Sequence, residues 1–251
     1  MLVDSPRLTH ADRAAWERLT AYDRMLAQSP RLHQIAARAS AVITRFADSG
    51  ECYLSVSWGK DSMVCAHLVA ETGLSIPLVH VRVAVADNPD SLAVRDAFLD
   101  RYSHVDYQEI VDEETAVRRF GYQPPHDGKP LPSLPKLHMG RWISGVRAEE
   151  SGPRKMSRRI HGVSTDNTCR PIIDWTAVDV FAYLERHDLP VHPAYAMSLG
   201  GTLDRRSLRV SSFGGNAGNG AYTQIGRNEW EDHYYGDVLD HARKHHKDAE
   251  Q

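Results

Sequence analysis

The sequence predicts an α/β fold in which a mostly parallel sheet is flanked by helices. Apolar, β-branched segments at 53–57, 75–83 and 105–111 alternate with segments whose apolar residues recur at helical spacing. Strands that are joined in this way through helices form a parallel sheet covered on both faces. A chain of 251 residues, 41% hydrophobic and 25% charged, is long enough for one sizeable domain of this class.

The N-terminal part of the chain, residues 1–48, is predicted to be a helical segment. One helix is expected from Thr9 to about Leu26, and a second follows the break at Ser29-Pro30. Both helices carry an apolar face. A helical segment in front of a sheet domain suits packing or contact with a second copy, so a homodimer is one expectation.

The alternating pattern occupies residues 49–200, which we expect to form the central domain. Within it a short helix should end at Gly121, and a proline-rich loop follows at 121–135. Residues 201–251 carry an arginine-rich stretch, a glycine-rich turn at 214–220 and an aromatic helix. We expect this last part to pack on the same domain.

Composition and charge exclude several classes of protein. A net charge of −3 argues against a protein that coats nucleic acid, so any such contact would need a local basic face. The sequence has no apolar run of membrane-spanning length and no signal-peptide pattern, so no membrane contact is expected. Its three cysteines, Cys52, Cys65 and Cys169, are too scattered for a disulfide framework, and the cytoplasm is the expected compartment.

A candidate anion site lies between the first strand and the helix after it. The connecting residues are Ser57-Trp58-Gly59-Lys60-Asp61-Ser62. Glycine lets a backbone approach a ligand closely, and the N–H groups and dipole of a helix N-terminus attract phosphate. The Walker spacing is not met, because Leu54 and Asp61 stand where that motif needs Gly and Ser or Thr. The dinucleotide fingerprint is also missing, which leaves a phosphate loop of another kind.

A second strand end should bring arginines to the same edge of the sheet. A short strand precedes Gly145-Val146-Arg147, and Ser151 and Arg154 follow at fixed spacing. The planar guanidinium group binds phosphate or sulfate through two hydrogen bonds. Four further basic residues extend this cluster: Lys155, Arg158, Arg159 and Arg170. They fit a solvated surface and a site for a polyanionic substrate or a nucleic-acid backbone equally well.

These motifs together resemble the PP-loop ATP pyrophosphatases, and more narrowly the phosphoadenosine phosphosulfate (PAPS) reductase-like family. The resemblance rests on residues 57–62, on 145–154 and on Pro171-Ile172-Ile173-Asp174-Trp175-Thr176, and it covers about 50–200. It implies a five-stranded, adenine nucleotide alpha-hydrolase-like sheet. It also implies that the chain binds ATP or PAPS with Mg²⁺ and cleaves ATP between the α- and β-phosphates.

The resemblance assigns roles to individual residues. Lys60, Asp61 and Arg147 would be catalytic, and Asp61 would also hold the metal. The nucleotide would be bound by Ser57, Trp58, Gly59, Lys60, Asp61, Ser62, Gly145, Arg154 and Arg170.

The sequence departs from the family in its cysteines. Sulfonucleotide reductases of this family use a cysteine in a C-terminal tail, whereas the last cysteine here is Cys169, and an iron–sulfur cluster would need four. Three functions therefore stay open. The first is an ATP pyrophosphatase that activates a substrate for sulfur transfer, as in DNA phosphorothioation, with a sulfur-donor protein and nucleic acid as partners. The others are a reductase that depends on Cys169 and a nucleotide-binding subunit without catalysis.

Overall fold

The computed structural model describes residues 1–82, 87–111, 140–210 and 227–248. Its strands are β1 (Tyr53–Val56), β2 (Leu78–Arg82), β3 (Tyr107–Val111), β4 (Trp142–Ser144) and β5 (Thr168–Cys169). They form one sheet in the order β3-β2-β1-β4-β5, and each pair of neighbours is parallel. The predicted α/β fold with a five-stranded parallel sheet is therefore confirmed.

Helices surround this sheet in the part of the chain that the structure describes. They are α1 (His10–Ala27), α2 (Pro30–Asp48), α3 (Lys60–Thr72), α4 (Pro89–Arg101), α5 (Gly152–His161), α6 (Ala177–Arg186) and α7 (Arg227–Asp248). Short 3-10 turns occur at Ala148–Glu150 and Pro193–Tyr195. The expected N-terminal helices are thus present. The short helix predicted to end at 121, the proline-rich loop and the glycine-rich turn lie outside the described residues.

Local sequence explains where several helices begin and end. Thr9 opens α1 with a capping box, in which its side chain accepts from the Asp12 N–H while the Asp12 carboxylate accepts from the Thr9 N–H. Thr176 begins α6 with the same arrangement. Gly73 ends α3 in the left-handed conformation at φ +67°, which costs glycine little.

The core lies on both sides of β1, the central strand. Leu54, Leu78 and Ile143 on three adjacent strands are fully buried. Helix α3 is buried along most of its length, between the sheet, α2 and α6. Helix α1 lies against α6, so the N-terminal segment packs on the sheet domain. No helix among the described residues is long and apolar enough to span a membrane.

The strand order places the candidate site. The chain runs outward from β1 to β2 and β3 on one side, and β4 and β5 lie on the other side. The sequence order therefore reverses between β1 and β4. At such a switch point the loops after two neighbouring strands separate and leave a crevice at their carboxyl ends, where α/β proteins bind ligands. The loop after β1 is the predicted phosphate loop, and the loop after β4 carries Arg147.

Candidate phosphate-binding site

The phosphate loop is held in shape by its tryptophan. Trp58 adopts a left-handed backbone conformation (φ +57°), which is uncommon for a residue with a side chain. Its indole is buried, its Nε1 donates to His80 Nδ1 at 3.2 Å, and its ring packs near Phe98. Burial lowers the pKa of His80 to about 4, so this imidazole is neutral and accepts the bond. The structure thus places the Trp58 side chain in the core, and its predicted nucleotide role stays a prediction.

Two serines close the loop across the start of α3. The Ser57 N–H donates to Ser62 Oγ at 3.2 Å, and the Ser62 hydroxyl donates to the Gly59 carbonyl at 3.1 Å. Gly59 is the N-cap of α3 and has no side chain of its own to cap the helix. The loop is therefore preformed, with the first turn of α3 directed into the crevice between β1 and β4.

Lys60, the cation of the loop, is buried and has partners within the protein. Its side chain is about 1% exposed, and its Nζ donates to the Leu208 carbonyl at 3.0 Å. The same nitrogen lies 3.2 Å from Asp61 Oδ2 and 5.1 Å from the centre of the Tyr195 ring. Burial lowers the pKa of this ammonium below its ordinary value, while the Asp61 carboxylate opposes the shift. The Lys60 backbone N–H donates to the Tyr195 hydroxyl at 2.9 Å.

Arg147 reaches the same point from the loop after β4. Its side chain is buried, its Nε donates to Asp61 Oδ1 at 2.6 Å, and another nitrogen donates to Glu149. Burial would lower the pKa of Arg147, but Asp61 and neighbouring carboxylates raise it above its ordinary value. Asp61 therefore bridges the two predicted catalytic cations, Lys60 and Arg147, through its two oxygens.

Gly145 allows the two loops to meet. A Cβ atom at this position would lie 2.8 Å from the Asp61 carbonyl carbon and 3.0 Å from the Ser62 nitrogen. Both are backbone atoms in the first turn of α3, which cannot move aside easily. The approach of the β4 loop to the phosphate loop thus depends on the missing side chain.

A second charge cluster adjoins the first and is centred on Glu150. This carboxylate accepts from the Arg147 N–H at 2.9 Å, pairs with Arg154 and lies 3.6 Å from Arg209 Nε. Burial would raise the pKa of Glu150, but the Arg147 N–H and the arginines lower it below its ordinary value. Arg154 therefore faces a carboxylate of the protein, and its predicted nucleotide role stays a prediction.

Arg170 lies in a different environment from the other predicted ligands. It follows β5, and its guanidinium donates to Ser157 Oγ at 2.7 Å and to the Gly162 carbonyl at 2.8 Å. These contacts hold α5 against the end of the sheet. The structure does not join Arg170 to Lys60, Asp61 or Arg147 by any hydrogen bond within the described residues, and its nucleotide role stays a prediction.

The fit of Mg²⁺ to Asp61 is poor in this conformation. Both carboxylate oxygens already face cations of the protein, Lys60 and Arg147. Among the residues that the structure describes, no group of three or more His, Cys, Asp or Glu side chains is arranged to hold a metal ion. The role of Asp61 as a metal ligand stays a prediction, and its observed role is to bridge two cations.

Sequence reasoning missed two participants, Tyr195 and Leu208. Tyr195 lies in the His192-Pro193-Ala194-Tyr195 segment that follows the last family motif, which could have drawn attention to it. The contribution of Leu208 is a backbone carbonyl, for which no side-chain pattern exists.

A parallel sheet with a glycine-containing loop at its switch point is typical of α/β proteins that bind a ligand at the carboxyl ends of their strands. The chain matches the profile of the "Phosphoadenosine phosphosulfate reductase domain" family over residues 51–228 and belongs to that family. The predicted membership is thus confirmed.

Curated relatives carry the name of a sulfur-metabolism enzyme. The phosphoadenosine 5'-phosphosulfate reductase of Xanthomonas euvesicatoria is 28% identical over 157 residues, which cover 57% of this chain and 65% of the relative. The protein of the same name from Xylella fastidiosa is 27% identical, with 57% and 66% covered. The chain therefore spans just under two thirds of the length of these relatives.

Among solved structures, a U34-tRNA thiolase, NcsA from Methanococcus maripaludis with its 4Fe-4S cluster, is similar at a TM-score of 0.43 and 12% identity. The likeness covers 87% of this chain and 81% of the thiolase.

Proposed function

We propose that the protein binds ATP at the phosphate loop and cleaves it between the α- and β-phosphates, activating a substrate for sulfur transfer. The observation that carries the proposal is the pair of buried cations, Lys60 and Arg147, joined by Asp61 at the N-terminus of α3. Buried positive charge beside a helix N-terminus suits a group that gains negative charge during the reaction. Pyrophosphate leaving the α-phosphorus is such a group.

Each residue would act by position and charge. The first turn of α3 and Lys60 would hold the β- and γ-phosphates, and Arg147 would neutralise the departing pyrophosphate. Asp61 keeps the two cations in place, and Gly145 keeps their loops in contact. Cleavage then depends mainly on alignment of the phosphate chain and on charge neutralisation, which can supply most of the rate enhancement in phosphate chemistry.

A reductase that works through one of the three cysteines is less well supported. All three thiols are buried, and burial raises the pKa of Cys169 to about 12. The thiolate is the nucleophilic form of cysteine, so a thiol of this kind is inert at neutral pH. PAPS is nevertheless a second candidate ligand, because the family and its named relatives favour it.

The molecule that ATP cleavage activates would be a separate partner, bound at the surface of the protein. Helix α5 presents the exposed cations Lys155 and Arg159 beside the exposed apolar side chains Met156 and Ile160. A basic surface of this kind suits nucleic acid or an acidic sulfur-donor protein. We propose that the protein acts in the cytoplasm as a homodimer, with nucleic acid and a sulfur-donor protein as its partners.

The test is pyrophosphate release from ATP and Mg²⁺, with PAPS as a second ligand in a binding assay. Lys60→Ala and Arg147→Ala should each lower release by about 10²–10³-fold, the usual effect of losing one donor to developing charge. The matched control is Arg13→Ala, which removes a half-exposed cation of α1 that pairs with Asp4. This variant should keep wild-type release.

Three results would redirect the assignment. Equal release by wild type and Lys60→Ala would contradict the role of the loop. ATP binding without release, with nucleic acid added, would favour a binding subunit. Sulfite release from PAPS in the presence of a dithiol reductant, if it disappears in Cys169→Ser, would restore the reductase.

A further inference from the structure

A segment from the C-terminal part of the chain lies across the phosphate loop. This segment, Asp204–Val210, forms a strap. Its Leu208 carbonyl accepts the hydrogen bond from Lys60 Nζ at 3.0 Å. Its Val210 carbonyl lies 3.7 Å from the position of a Cβ atom on Gly59. The strap thus accepts a hydrogen bond from the lysine and lies against the glycine of the loop.

The strap is fixed at its other end to helices α1 and α6. The Arg205 guanidinium donates to both oxygens of Asp23 on α1, at 2.8 and 2.7 Å. The same group lies 4.0 Å from the centre of the Phe181 ring on α6. Both members of the ion pair are at least 90% buried. A buried, two-point ion pair stacked on an aromatic ring is a firm anchor.

The Leu208 carbonyl and a phosphate oxygen would compete for Lys60, because the lysine is buried beneath the strap. An ammonium group has three donors, and here one donates to the Leu208 carbonyl at 3.0 Å while Asp61 Oδ2 lies 3.2 Å away. The lysine is almost entirely shielded from water, so a phosphate oxygen can reach it only when the strap moves away. The neutral carbonyl is the weaker partner, because hydrogen bonds to charged groups are stronger than those to neutral ones.

We propose that the strap is a self-occluding cover of the phosphate site. The Leu208 carbonyl stands in for a phosphate oxygen in the ligand-free protein, and a nucleotide opens the strap by replacing it on Lys60. The Arg205–Asp23 pair stays closed and serves as the fixed end. The proposal rests on the proposed function, because it concerns access to the same site.

The first arm of the test needs no nucleotide. Lys60→Met keeps the length and packing of the side chain but removes the donor. Amide hydrogen exchange of peptides covering 204–210 should then rise by roughly threefold or more relative to wild type, because the strap loses its contact with the loop. Arg13→Ala is the control and should leave this exchange unchanged. Equal exchange in wild type and Lys60→Met would overturn the proposal.

The second arm adds ATP to the wild-type protein. Exchange should fall at 57–63, where the ligand binds, and rise at 204–210, where the strap is released. Protection of both segments would overturn the proposal, since ligand and strap would then coexist. If ATP protects neither segment and releases no pyrophosphate, the proposed function fails, and the Lys60→Met comparison still decides whether Lys60 holds the strap.

Discussion

The contact between the two loops offers the sharpest single test of the site. In Gly145→Ala the new methyl group would lie 2.8 Å from the Asp61 carbonyl carbon and 2.9 Å from its oxygen. Real Cβ atoms do not approach a backbone so closely, so the first turn of α3 or the β4 loop must shift. Overpacking of this kind costs about 1–3 kcal/mol. For a chain of this size each kcal/mol lowers Tm by about 2–4 °C, so we expect a decrease of about 2–12 °C.

The same shift should impair the chemistry, because it displaces Asp61 from the two cations. Misplacement of reacting groups by about 1 Å can lower a rate by roughly 100-fold. Thermal unfolding and pyrophosphate release are to be measured for Gly145→Ala and for Gly152→Ala, whose added methyl group meets nothing within 4 Å. The control should match wild type in both assays. Wild-type Tm and wild-type release in Gly145→Ala would refute the close approach described here.

Three further variants test other parts of the structure. Burial lowers the pKa of His67 to about 3, so between pH 6.5 and 3 the unfolded chain takes up a proton that the folded chain does not, and acid destabilises the fold. His67→Gln should therefore lose roughly 1–2 kcal/mol less stability than wild type between pH 7 and 5 in urea titrations; an identical loss would contradict the buried neutral imidazole. Arg141→Leu removes hydrogen bonds to the Phe46 and Asp166 carbonyls at the amino ends of the strands, away from the candidate site. This variant should lower the urea midpoint of unfolding without changing the ATP affinity of the folded protein. Glu150→Gln removes the carboxylate that Arg154 faces and should strengthen pyrophosphate binding in calorimetry. Glu185→Gln, which removes a partly buried carboxylate paired with Arg24, is the control and should leave this binding unchanged. Weaker binding in Glu150→Gln would argue that Glu150 itself positions the anion.

The parts of this site that could be predicted from the sequence are those that depend on local order. A strand, a glycine-containing loop and a helix in succession predict where the N-terminus of α3 points. A second strand followed by Gly145 and Arg147 predicts the same sheet edge, because parallel strands share the edge at which they end. The pairing of β1 with β4 then brings the two loops together.

The contacts that cover the site could not be predicted, because they come from far along the chain. The hydroxyl of Tyr195 reaches the Lys60 N–H across 135 residues, and the Leu208 carbonyl reaches the ammonium across 148. Trp58 shows a different limit. Its place inside the motif predicts contact with a ligand, but the left-handed turn at this residue directs the indole to His80. A motif fixes the backbone path, whereas side-chain direction also depends on the packed neighbours.

Lys60 and Arg147 are both buried and paired with carboxylates of the protein. An unpaired buried charge costs several kcal/mol, so Lys60 and Arg147 can be buried here only because Asp61 and Glu149 pair with them. A nucleotide bound as proposed would therefore not enter a site with unpaired positive charge. Its phosphate oxygens would replace partners that the protein already supplies to Lys60 and Arg147, so its affinity would be the difference between two sets of contacts. In this proposal the motif residues determine where the phosphates bind, and the carboxylates that pair with Lys60 and Arg147 beforehand determine how tightly.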